Sequence, residues 1–246
     1  MERCLLVNAD DFGLSVGVNE GIVYARRFGI VTSASLMVRG PAAHHAIEIA
    51  PDIDLGLHLD LGEWAYRDGE WRPLYVRVPL DSPDAVEEEA HAQLDLFRQL
   101  TGRGPTHLDS HQHLHNQDPL RTIAKRLANR CRIPLREFTD IHWCGRFYGQ
   151  SGKGGPYPEG ISVAYLISLL TTLAPGSTEL GCHPGQDLGL ASCYRLERLV
   201  EVQTLCDPAV RRTIEEQGIR LITFEELNDG VAARIAKRES AAGIGS

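Results

Sequence analysis

Short apolar runs and helical patterns alternate along nearly the whole chain, and this restricts the fold more than any other feature of the sequence. Strands separated by helices pair in parallel, with the helices covering the sheet. Cys4 to Val7, Val31 to Val38, Asp54 to Leu61, Thr106 to Ser110, Ile133 to Phe138, Glu179 to Cys182 and Arg220 to Phe224 read as strands. Val16 to Phe28 reads as a helix with Gly29 at its C-cap, and Ala42 to Ala50 as a second. Asp84 to Leu100 is the clearest helix, with Val86, Ala90, Leu94 and Phe97 at three- and four-residue steps before Gly102. Leu120, Ile123, Ala124 and Leu127 share one face of a fourth. Ile161 to Ala174 and Ser192 to Leu205 flank the sixth strand, and Asp207-Pro208 opens a helix ending near Gly218. About seven such units in 246 residues predict an α/β fold, a closed or nearly closed (β/α) TIM-like barrel, with an open doubly wound sheet as the alternative.

With 43% hydrophobic residues, the chain has material for one core, so residues 1–246 are expected to form a single domain. Gly145 to Gly160 reads as a long functional loop, and the tail after Arg238 as frayed. Lys and Arg number 25 against 33 acidic residues, and no basic run marks a nucleic-acid footprint, so no nucleic-acid partner is expected. No apolar stretch approaches the roughly 18–20 residues that span a bilayer. The N-terminal stretch lacks the pattern of a signal peptide, and the expected location is the cytoplasm. Cys4, Cys131, Cys144, Cys182, Cys193 and Cys206 include no CxxC pair and read as reduced thiols.

The unusual polar residues fall at the ends of the expected strands. Asp10 and Asp11 follow the first, His58 lies near the end of the third, and Asp109 and His111 follow the fourth. Arg136 is in the fifth and His183 follows the sixth. In a parallel barrel all of these share one rim. Two adjacent carboxylates repel, and a divalent cation relieves one of them while the other stays available as a general base; capping of the next helix is the plain alternative for this pair. From Thr106 to His115, four histidines and Asp109 occupy alternate positions, which an extended backbone would place on one side. One Asp with two His suits zinc, cobalt or iron better than manganese or magnesium. Asp109 or Asp60 could orient a ligating imidazole. Arg136 could clamp a catalytic carboxylate, and His183, held in Gly-Cys-His-Pro-Gly, is a candidate general acid. Trp64, Trp71, Trp143, Tyr148 and Tyr157 would suit stacking on sugar faces. No Gly-x-Ser-x-Gly elbow, Walker loop or dinucleotide fingerprint is present.

LLVNADDFGLSVGVNEGI, GIVTSASLMV, GLHLDL, THLDSHQHLH and the late CHPG together closely resemble the YdjC-like carbohydrate deacetylases, from about Leu5 to Phe224. That family includes chitooligosaccharide deacetylases and deacetylases of hopanoid biosynthesis. The resemblance implies a distorted barrel like that of polysaccharide deacetylases, and a hydrolase that removes the N-acetyl group of an amino sugar. It implies that Asp11, His58 and His111 hold one divalent metal ion, zinc or magnesium with zinc favoured. It further implies Asp10 as general base, His183 as general acid, and a homodimer. Asp109, Arg136, His113 and Trp143 fall beside these as supporting or substrate-contacting residues. Residues 61–84 and 142–158 match no subfamily, and substrate choice is expected there. A metallo-phosphoesterase and a non-catalytic sugar- or metal-binding module are the alternatives.

Overall fold

The computed structural model describes residues 2–187, 189–190 and 192–229; the tail expected to fray, after Arg238, lies outside them. Seven strands form one parallel sheet: β1 (Arg3–Phe12), β2 (Ser33–Leu36), β3 (Asp54–Leu59), β6 (Leu108–Ser110), β7 (His142–Cys144), β8 (Gly176–Cys182) and β9 (Ile219–Leu221). The order is β6-β3-β2-β1-β8-β7, and β9 pairs with the first residues of β1 beneath β2. The sheet curls into a half-barrel, and among the described residues its end strands β6 and β7 do not pair with each other.

The helices cover its outer face. In α1 (Val16–Phe28) the Ser15 side chain accepts from Val18 N, and Val18, Ile22 and Ala25 form the buried stripe. Asp10 and Asp11 therefore do not cap this helix. The long α3 (Pro83–Thr101) begins at Ser82-Pro83 and stops at Gly102, whose φ of 69° only glycine adopts cheaply. The others are α2 (Ala43–Ile49), α4 (Leu120–Cys131), α5 (Val163–Thr171), α6 (Leu196–Leu205) and α7 (Pro208–Glu216).

The two-residue period of β1 sorts its side chains by layer. Leu5, Val7 and Ala9 join the large core under the helices, whereas Cys4 and Leu6 form a small inner cluster with Ile222 and Phe224. Further along the same inner face come Asn8 and Asp10. The interior of the curl thus changes from apolar at its base to ionic at its top, where the strands end. Gly56 makes room for this packing: a Cβ there would lie 2.3 Å from the His107 ring, which itself stacks on Phe224 at 3.8 Å.

Three sequence expectations change. Ile133 to Phe138 is not a strand, because Leu135 makes one isolated bridge to Leu108 before Glu137 turns left-handed at φ 65°. A seventh parallel strand comes instead from His142–Cys144, just before the expected loop from Gly145 to Gly160. Residues 62–76 form an antiparallel hairpin, β4 (Gly62–Arg67) and β5 (Glu70–Val76), turning at Asp68-Gly69 with φ 53° and 88°. An Asp-Gly step between alternating segments is a strong hairpin signal that the sequence does contain. No described helix is long and apolar enough to cross a membrane, and all six cysteines are free.

Candidate metal centre

Parallel pairing carries the strand-end residues to one place. His58 and Asp109 are register partners in β3 and β6, and His58 Nδ1 donates to Asp109 Oδ1 at 2.8 Å. Asp109 Oδ2 accepts from Ser35 Oγ at 2.6 Å, so the orienting carboxylate is itself oriented. Asp60, the other candidate for this duty, faces away and binds Arg77 Nε at 2.6 Å and Tyr75 Oη at 3.0 Å, which ties the hairpin down.

Asp11 sits at the bend closing β1, with φ 67°. Its Oδ1 lies 2.9 Å from His111 Nδ1 and 3.3 Å from His58 Nε2, and its Oδ2 accepts from Arg198 Nη2 at 2.6 Å. Donor atoms of Asp11, His58 and His111 lie within 4.8 Å of one another, and all three residues are buried. A second grouping, Asp10 with His58 and Asp109, meets the same distance. It is a poorer cation site, because its carboxylates are already occupied by Arg136. That guanidinium donates to both oxygens of Asp10 at 2.7 and 2.8 Å, contacts Asp109 Oδ2 at 2.7 Å, and donates from Nε to Glu179 at 2.7 Å. The Trp143 indole covers it at 4.2 Å, lying so close to β8 that a Cβ at Gly181 would come within 2.3 Å of the ring.

Burial alone would raise Asp10, but the charge of Arg136 holds its carboxyl below the usual value. Burial likewise opposes ionisation of Asp11, yet Arg198 and His111 hold it well below normal. Burial would lower the two imidazoles; Asp109 instead lifts His58 well above its usual value, and Asp11 lifts His111 to about 9. Burial pushes Glu179 up to about 7 and Glu201 up to about 8. Asp10, Asp11, Asp109 and Glu63 thus stay ionised, balanced by Arg136, Arg198 and the two raised imidazoles, so a dication would enter by displacing the imidazole protons. His58 Nε2 and His111 Nε2 are buried and, among the described residues, without a hydrogen-bond partner. The donor set and these unpaired nitrogens fit a divalent metal ion.

His183 follows β8 with its side chain 19% exposed, and its Nε2 is 3.8 Å from Asp10 Oδ2. Burial lowers this imidazole to about 4. Glu201 accepts from the His183 backbone N–H and from the Tyr194 hydroxyl, and Tyr148 stacks on Tyr194 at 4.6 Å.

Asp10, Asp11, His58, Asp109, His111, Arg136 and His183 therefore converge. His113 does not join them: the chain leaves β6 as a 3-10 turn (His111–Asn116) with Gln112 and His113 left-handed, which breaks the alternation expected through His115. His113 packs instead on Trp143, at 5.4 Å between centroids. Trp71 and Tyr157 are exposed, whereas Tyr148 lies beside His183.

Sequence reading missed Arg198, Glu201 and Glu63. The first two carried a signal, because in α6 the buried positions include Arg198, Glu201, Val202 and Leu205 while Leu196 and Val200 face out. Charged residues on the stripe that should be apolar mark a helix facing a polar site.

The family model described as YdjC-like protein matches residues 4–216. A carbohydrate deacetylase of Geobacillus stearothermophilus is 34% identical over 252 residues, covering 92% of this chain and 98% of that one. A chitooligosaccharide deacetylase of Serratia marcescens is 32% identical over 260 residues, covering 92% and 100%. Among solved structures, a protein of Enterococcus faecalis V583 superposes with a TM-score of 0.77 at 27% identity, covering 92% of this chain and 99% of that one. A family 4 carbohydrate esterase of Streptomyces lividans shares the fold at 10% identity, with a TM-score of 0.52 and coverage of 89% and 91%.

Proposed function

The chain belongs to the YdjC-like protein family, and on that premise we propose that it is a metal-dependent carbohydrate deacetylase that removes the N-acetyl group of an amino sugar. The observation that carries this reading is the asymmetry of Asp10 and Asp11. One carboxylate is clamped and ionised beside a histidine, and the other joins two imidazoles in a cation-binding set.

Asp11, His58 and His111 would hold the ion, with zinc favoured by two imidazole donors. A bound dication would polarise the acetyl carbonyl and lower the pKa of an attacking water. Asp10, kept ionised by Arg136, takes the proton from that water. His183 starts neutral, so it must gain a proton before giving one to the departing amine. Asp10 Oδ2, 3.8 Å from its Nε2, is the carboxylate beside it. On this reading the proton that Asp10 takes passes to His183. Trp143 and Tyr148, at the edges of the site, suit contact with a sugar face.

The test is acetate release from N-acetylglucosamine, its chitin dimer and trimer, and a glycolipid carrying it. Protein would be stripped with chelator and reloaded with zinc or magnesium. Acetate that appears only after reloading, from at least one conjugate, is the expected result. A folded, metal-loaded protein that releases none from any of them overturns the reading.

A further inference from the structure

The turn that leaves β6 brings together a second set of ligating residues. Donor atoms of His113, His115 and Glu137 lie within 4.8 Å of one another, and none of these residues belongs to the Asp11 set. His115 is fully buried, and its Nδ1 is 2.7 Å from Ser110 Oγ, while its Nε2 has no partner among the described residues. The His113 side chain is partly exposed, but its Nδ1 atom is buried and unpartnered among the described residues, 3.9 Å from Glu137 Oε1. Asn116 Nδ2 donates to that same oxygen at 2.8 Å and fixes the carboxylate in place.

Two imidazole nitrogens buried without partners are costly unless something accepts their lone pairs. A hydrogen bond at the far nitrogen of His115 is the usual way in which a ligating ring is oriented. Two histidines and a carboxylate form a donor set for zinc or a similar borderline cation. The segments involved flank the seam where the sheet stays open. His113 and His115 follow β6, and Glu137 follows Arg136 on the stretch that reaches β6 through one bridge. We propose that His113, His115 and Glu137 form a second divalent-cation site, which clasps the turn after β6 to the segment that presents Arg136.

The experiment is zinc stoichiometry. Chelator-stripped protein is incubated with excess zinc, desalted and analysed by elemental mass spectrometry, with circular dichroism confirming the fold. The wild type is expected to retain two equivalents. His115→Ala and Glu137→Gln should each lose one; Glu137 lies at the surface, so its variant should fold even if the buried His115 does not tolerate truncation. His58→Ala should lose the other equivalent, and the His58→Ala/Glu137→Gln pair both. A wild type holding a single equivalent that disappears in His58→Ala would overturn the second site while leaving the proposed activity standing. Two equivalents retained in a folded Glu137→Gln variant would overturn it as well.

Discussion

Asp10 and Asp11 are adjacent in sequence and each meets a buried arginine, yet the two sides of this step are built differently. On one side Arg136 takes both oxygens of Asp10 and reaches on to Asp109 and Glu179. On the other, Arg198 takes one oxygen of Asp11 and leaves the second to His58 and His111. A forked clamp fixes a carboxylate's plane and keeps it charged, which suits a base. A one-point contact turns the free oxygen toward other donors, which suits a ligand. Like residues one position apart thus have unlike surroundings, which suit them to the unlike duties proposed above.

The contrast breaks hardest at Asp10. Asp10→Asn should lower kcat by about 10²–10⁴-fold, the usual worth of a general base, while zinc binding to the Asp11 set persists. Loss of that zinc along with turnover would mean that the two carboxylates act as one unit. Arg198→Gln should weaken zinc binding by roughly 10–100-fold, as loss of a partner behind a ligand does, measured by competition with a chromogenic chelator. Arg136→Lys should instead spare zinc affinity and lower kcat, since a lysine keeps the charge but not the fork. If the two variants exchange these signatures, the division of labour is reversed. The smallest effect concerns Glu179, which burial raises to about 7. A carboxyl raised in the folded state favours folding below its unfolded pKa, and that contribution is lost as pH climbs through the folded value. The melting temperature of Glu179→Gln should therefore fall less than that of the wild type between pH 5 and 8.

The sheet was readable because β1 and β3 are buried, largely apolar runs with polar residues at their ends, and a parallel sheet collects such ends on one rim. The fifth expected strand failed because Pro134 and the left-handed Glu137 interrupt an otherwise apolar run. The alternating histidines misled for a related reason, since Gln112 and His113 leave extended geometry right after Ser110. Arg198 and Glu201 were hidden because α6 faces its charges inward, a reversal visible only once a helix is asked which face it buries.

The backbone at Asp11 has one more consequence, and it concerns descent. At φ 67° every residue but glycine carries a steric cost, smaller for aspartate and asparagine than for others, and it is tolerated here while the carboxylate is needed. A lineage that abandoned catalysis would be free to shed that cost, and drift at this position should run toward Gly before it touches Asp10, which lies in the strand without a positive φ. The order in which the two aspartates decay is thus written into the bend that closes the first strand.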